Sequence, residues 1–163
     1  MNQELLVEMD KKSVFVRGRI IGLYTGIEFL IDDIIKNTLF DDKEDFNFYF
    51  DLLGLSEKLN GKVKSKIIKH CLEKYDKKNG TDTKAVRERL DNLTDKRDKM
   101  THWILDTSEQ GIELYRTKGQ FKFIKNKNEK LQHEILSLET VKGLEQSLNE
   151  VMSELIKVQQ TYV

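Results

Sequence analysis

The segment "RGRIIGLYTGIEFLIDDIIKNTLF", residues 17 to 40, sets the tightest constraint on the fold. Its apolar residues Ile20, Leu23, Tyr24, Ile27, Leu30, Ile31, Ile34 and Ile35 recur at three-and-four spacing, which lines them along one stripe of a helix. Such a stripe must be buried, and the natural cover is other helices of similar length. The chain contains no proline, the residue that most often ends a helix, so long helices are favoured over strands and turns. A length of 163 residues fits a single domain, residues 1–163, with one modest core.

The same reading extends along the chain. "FDDKEDFNFYFDLLG" reads as a connection with a short helical piece, and Ser56 offers a cap to "EKLNGKVKSKIIKHCLEKY". Leu59, Val63, Ile67, Ile68, Cys71, Leu72 and Tyr75 supply that helix's buried face, while lysines from Lys58 to Lys78 crowd the other. Such lysine runs are usually only solvated, with an RNA contact as the functional alternative. Thr81, Asp82 or Thr83 would cap the next helix, "KAVRERLDNLTDKRDKMTHWIL". "GIELYR" and "QFKFIK" alternate their side chains and predict a small β-hairpin over about residues 111–126. A final helix spans "SLETVKGLEQSLNEVMSELIKVQQ". The expected fold class is all-α: a helical bundle of four to five helices carrying a β-hairpin insert. Gly18, Gly22 and Gly26 fall on one line of the first helix, where another helix of this chain or of a second copy would approach closely.

Charge and composition remove several functions. Lys+Arg and Asp+Glu both total 28, so no global field gathers nucleic acid and any RNA contact needs a local patch. Cys71 is the single cysteine, which rules out an internal disulfide. Its place on an apolar face argues against a nucleophile beside His70. His70, His102 and His133 share no metal-ligand spacing, so no metal or cofactor is expected. "MNQELLVEMDKK" lacks a basic start and apolar run, and no apolar stretch reaches the ~20 residues that span a bilayer. The expectation is a soluble cytoplasmic protein.

The stretch that carries chemistry is "RDKMTHW", residues 97 to 103. Apolar residues at Val86, Leu90, Leu93, Met100 and Ile104 leave one position of their stripe unfilled, and Arg97 occupies it. A guanidinium in that phase needs an anion, either a carboxylate of the same chain or a phosphate gripped by two parallel hydrogen bonds. His102 lies about 7.5 Å further along the axis and about 140° around it, so the pair converges more easily across a two-fold axis than within one helix. Asp98, four residues before His102, can reach and orient its ring. RNA cleavage needs a base for the ribose 2′-hydroxyl, an acid for the leaving 5′-oxygen and a cation on the phosphate, and histidine and arginine supply these. Lys96, Lys99 and Trp103 are the accompanying RNA-binding candidates, although a tryptophan at a helix end more often closes a core.

These residues resemble the HEPN superfamily ("higher eukaryotes and prokaryotes nucleotide-binding"), marked by Arg, a polar residue, three variable residues and His near a helix end. Here these are Arg97, Asp98, Lys99-Met100-Thr101 and His102. "GLYTGIEFLIDDIIKNTLF" looks like the family's long first helix, and "LLGLSEKLNGKVKSKIIKHCL" like its following Leu-Ser-x-x-x-Lys helix start. The resemblance implies a homodimer that cleaves RNA without metal through Arg and His of both subunits, serving as a toxin or abortive-infection effector in phage defence. By that resemblance Arg97 would hold the scissile phosphate, His102 would move protons and Asp98 would orient His102. It also implies an antitoxin or regulatory partner. Ile104 stands where one branch, paired with a nucleotidyltransferase antitoxin, carries tyrosine. Three readings remain open at this level: an endoribonuclease; a non-catalytic dimeric module that binds RNA, a nucleotide or a protein; and an unrelated helical interaction protein in which Arg97 is simply ion-paired and His102 is a helix-end residue.

Overall fold

The structure, a computed structural model, describes residues 3–39, 61–127 and 130–161. These residues are mostly helical, with five helices and a small three-stranded antiparallel sheet. In chain order the elements are α1 (Gln3–Leu39), α2 (Gly61–Asn79), α3 (Lys84–His102), β1 (Ile104–Leu105), α4 (Glu109–Lys118), β2 (Phe121–Lys127), β3 (Lys130–Leu136) and α5 (Leu138–Gln160). The expected helical piece near residue 50, the Ser56 cap, Lys58 and Leu59 lie outside the described residues. No helix among the described residues is long and apolar enough to cross a membrane.

The chain divides into two compact units, Met1–Leu23 with Lys96–Gln146, and Tyr24–Asp95 with Ser147–Val163. In the second unit the apolar stripes close on one another. Ile27, Ile31 and Ile34 of α1 are buried, as are Ile68, Cys71 and Leu72 of α2, Leu90 and Leu93 of α3, and Leu148, Val151 and Leu155 of α5. Each fully buried aliphatic side chain stabilises the fold by roughly 1.5–3 kcal/mol over leaving it exposed. One polar pair sits among them: Thr94 donates to the Leu90 carbonyl at 2.7 Å, so at 2.5 Å the Tyr24 hydroxyl donates to Thr94 Oγ1. Gly26 meets Met152 Sδ, 3.5 Å from where a Cβ would stand, whereas Gly18 and Gly22 have nothing within 4 Å among the described residues. The expected close approach within the chain is therefore confined to Gly26.

The turn between α2 and α3 is closed by Asp76. Its carboxylate accepts from the Thr83 amide at 3.0 Å, the Thr83 hydroxyl at 2.9 Å, the Thr81 hydroxyl at 3.0 Å and Arg87 at 3.0 Å. Thr83 is the backbone cap of α3, its carbonyl accepting from Arg87 at 3.0 Å, and Asp82 accepts from the Lys84 amide at 2.8 Å. Burial alone would raise the Asp76 carboxyl, but the Thr83, Thr81 and Arg87 contacts outweigh it and hold the group below its ordinary value. Burial pushes the Cys71 thiol up, as befits a core residue.

The first unit corrects the hairpin. "GIELYR" belongs to helix α4, and the hairpin is formed by β2 and β3, displaced to residues 121–136. Ser108 caps α4 by accepting from the Gly111 amide, and Gly119 closes it in the left-handed region at φ 61°. Gly111 and Tyr115, four apart, form the buried face. A side chain at Gly111 would run into the carbonyl of Asp106. The last two residues expected in α3 also turn out of the helix: Ile104 and Leu105 pair with Ile124 and Phe123 of β2. That pairing buries Leu105 beside the fully buried Phe123. Sheet order is β1-β2-β3, with Phe123 opposite Glu134 and Phe121 opposite Leu136. Tyr115, Phe121 and Phe123 stack in sequence, their centroids 5.4 and 6.5 Å apart.

Candidate active site at the end of helix α3

The buried stripe of α3 runs through Val86, Leu90, Leu93 and Met100. Arg97 falls in its phase and is half-buried, as the spacing requires. Its Nη1 donates to Asp98 Oδ1 at 3.0 Å, and the two side chains retain 26% and 34% of their exposure. The anion that meets this guanidinium thus includes a carboxylate of its own helix. His102, the last residue of α3, is exposed. No hydrogen bond joins it to Asp98 among the described residues. Asp98 turns to the arginine before it, so the orienting contact expected for the imidazole is not part of this arrangement.

Lys96 and Lys99 are brought together by a residue that the sequence reading passed over. Glu134 of β3 accepts from Lys96 through one carboxylate oxygen and from Lys99, at 2.9 Å, through the other. All three side chains are largely buried, at 23%, 22% and 15% exposure. Burial alone would raise the Glu134 carboxyl, but the two ammonium groups hold it below its ordinary value. Lys99 Nζ also stands 5.6 Å over the Trp103 ring. Trp103 itself is buried. Its indole therefore closes the core of the first unit, and its face toward Lys99 is a cation contact.

Two further residues fix the segment after the helix. Arg17 of α1 donates to the Trp103 carbonyl, and its guanidinium lies 4.7 Å over the Phe123 ring. The Arg17 Nε is buried without a hydrogen-bond partner among the described residues. Burial lowers the pKa of Arg17, and Asp10 offsets part of that. A cation on the carbonyl following His102 neutralises the negative end of the α3 dipole and locks the exit of the chain. Asp106, 5% exposed, accepts from Lys122 at 2.8 Å and from the Ser108 amide at 3.0 Å, which holds β1 to β2 and starts α4. None of Arg17, Asp106 or Glu134 sits in a motif, and their partners are distant in sequence or masked by an unexpected strand. The local signal for Asp106 was the Asp-x-Ser turn before α4.

The lysine run of α2 is partly consumed by ion pairs within the second unit. Lys64 meets Asp32 at 2.7 Å, and Lys69 meets Asp91, which also accepts from Ser65 at 2.8 Å. Lys66, Lys74, Lys77 and Lys78 are exposed. His70 and His133 are exposed as well, and among the described residues no three His, Cys, Asp or Glu side chains converge as metal ligands would.

Compared with protein-family models, curated proteins and solved structures, the chain has no match.

Proposed function

We propose that the protein is a HEPN-like endoribonuclease whose site is the end of α3, with Arg97 holding phosphate and His102 moving protons. The observation that carries this reading is the pairing of two unlike residues. A half-buried arginine stands in an apolar phase, and five residues on an exposed histidine ends the helix. In the reaction the ribose 2′-hydroxyl loses its proton and its oxygen attacks the adjacent phosphorus. The bond to the 5′-oxygen breaks, and that oxygen takes up a proton. The products are a 2′,3′-cyclic phosphate and a 5′-hydroxyl. Arg97 neutralises the charge that grows on the non-bridging oxygens. His102 serves one proton transfer, and a second copy of the chain would supply the His102 for the other. A role in phage defence or as a toxin held by an antitoxin belongs to the same reading.

One observation favours the alternative of a dimeric module that binds RNA without cutting it. Asp98 is engaged by Arg97, so the imidazole lacks its expected orienting partner. The deciding experiment induces wild type, Arg97→Ala and His102→Ala in a bacterial host at matched soluble expression and follows growth and RNA integrity. Purified proteins are assayed alongside on RNA in the presence of a chelator. Growth arrest and fragments with 5′-hydroxyl ends from wild type alone support the nuclease. RNA binding that survives both substitutions, with no cleavage from any of the three, selects the binding module.

A further inference from the structure

We propose that the outer face of the three-stranded sheet is the surface on which a second copy of the chain docks. That the occupant is a second copy rests on the two-copy site proposed above, whereas the face itself rests on its side chains.

Directly opposed residues of an antiparallel pair project to the same face of the sheet, and successive residues of a strand project to opposite faces. Leu105, Phe121, Phe123 and Leu136 therefore share the inner face, and all four are buried. The outer face follows from the same register. Ile104 lies opposite Ile124, Ile135 opposite Lys122, and Leu131 opposite Asn126. An antiparallel sheet with one solvated face alternates apolar residues inside with polar residues outside. Here the outside carries three isoleucines and a leucine, and Ile104, Leu131 and Ile135 keep 70%, 64% and 44% of their exposure. Single exposed apolar residues need no explanation, but a contiguous group on neighbouring strands marks an interaction site.

Charge selects the occupant. With histidine neutral, the described residues of this face carry one cation, Lys122, and Asp106 of the same chain meets it at 2.8 Å. Two copies related by a two-fold axis present the same surface to each other, so a charge left unpaired near the axis meets its own kind. This face brings none. An RNA strand needs cations opposite its phosphates and finds aliphatic side chains instead. Area then sets the strength. At about 3.4 Å per residue and about 4.8 Å between strands, the two seven-residue strands and β1 make a face of roughly 300 Å². Each copy in a standard interface buries about 800 Å². The face supplies the apolar centre and its rim the remainder, which makes a reversible dimer with a Kd on the order of micromolar. Ile104 follows His102 by two residues, so a copy seated on this face stands beside the end of α3.

The test measures the mass of the full chain by sedimentation equilibrium across the micromolar range, for wild type and for Ile104→Lys with Leu131→Lys, alongside thermal melts. Both positions are exposed, so the lysines should leave the melting temperature unchanged. They should weaken the dimer by about thirtyfold or more, as charges placed at the centre of an interface do. His133→Cys, in the middle row of the face, should be joined to its partner by a short bismaleimide, and the two lysines should abolish that product. Wild type, whose Cys71 is buried, is the blank. A wild type that stays monomeric overturns the proposal. So does a dimer that survives the two lysines, which would use another surface such as the line of Gly18 and Gly22 on α1. If the lysines lower the melting temperature, the cross-link in otherwise wild-type protein decides: capture upholds the face and its absence overturns it. Loss of the dimer with RNA cleavage intact upholds the face and removes the two-copy nuclease. A wild-type dimer that cleaves no RNA upholds the face and selects the binding module.

Discussion

The two ends of α3 are both dense in charge, and they are built in opposite ways. At the N-terminal end, the Asp76 cluster is drawn from within eleven residues: Thr81, Thr83 and Arg87 all donate to one carboxylate. At the C-terminal end the cations are met by Asp98 and by Glu134 of a distant strand, and His102 stays exposed. A closed cluster explains itself as a cap that satisfies the orphan amides of the helix start. An end that keeps an imidazole in solvent five residues after a half-buried guanidinium gains nothing comparable in stability. The first end is read as structure and the second as chemistry.

The largest expected effect separates those two readings directly. His102→Ala should lower RNA cleavage by about 10²–10⁴-fold, the range for removing a general acid or base, and leave the melting temperature unchanged. Arg97→Lys keeps the charge but loses the fork, and should cost on the order of tenfold. Cleavage rates and thermal melts on the same preparations check both. A His102→Ala protein that cleaves like wild type would reduce the C-terminal end to a second structural cluster.

At the other end the order of effects should invert. Asp76→Asn turns one acceptor oxygen into an NH₂ group facing the Thr83 donors, and should cost about 1–3 kcal/mol of stability. Its effect on cleavage should stay within about twofold once the protein is folded, since a fold-change that small is under ~0.5 kcal/mol. The cost should also depend on pH with a definite sign. The Asp76 carboxyl is held below its ordinary value in the folded chain. Its contribution is therefore fully present above that value and is lost as pH falls through the lower folded value. Denaturant unfolding of wild type and Asp76→Asn should give curves that converge on acidification below about pH 4.

Much of this contrast was legible in the sequence, and the reasons for the remainder are physical. The stripes of α1, α2, α3 and α5 follow from three-and-four spacing because nothing but burial dictates it, although Val63 near the start of α2 and Ile104 beyond the end of α3 are exposed. The phase of Arg97 follows from the same count. Thr83 was among the candidate caps because capping is local. "GIELYR" was misread because Ile112 and Leu114 alternate as strand residues do, while the deciding signals, Ser108 before the segment and Gly119 after it, lie outside it. Glu134 was out of reach for another reason: its lysines stand 38 and 35 residues away, and no local pattern records a pair of that separation. Arg17, which holds the Trp103 carbonyl from 86 residues away, belongs to the same class. Sequence reading recovers what one element requires of itself and loses what one element supplies to another.

A smaller effect tests the buried interior that supports the N-terminal end. Tyr24→Phe removes the donor to Thr94, but Thr94 keeps its own bond to the Leu90 carbonyl at 2.7 Å. The loss should be about 0.5–1.5 kcal/mol, without the larger penalty of an unsatisfied buried group. A denaturant midpoint shift well beyond that range would mean that Thr94 depends on the tyrosine and that the interior is less self-sufficient than its hydrogen bonds indicate.

Asp98→Asn should have the smallest effect and says most about how the C-terminal end works. If Asp98 oriented His102, its loss would release the imidazole and lower kcat by an order of magnitude or more, as loss of a proton-transfer partner does. Its partner in the structure is Arg97, in a pair that is a quarter to a third exposed. Such a pair contributes about 0.2–1 kcal/mol. The substitution should therefore move stability by less than ~1 kcal/mol and kcat by less than about fivefold. KM for RNA should fall, since a carboxylate no longer competes with phosphate for the guanidinium. A kcat that collapses while KM holds would instead show that Asp98 leaves Arg97 for His102 when RNA binds, and that the ion pair seen here is the resting arrangement of a site that rearranges to act.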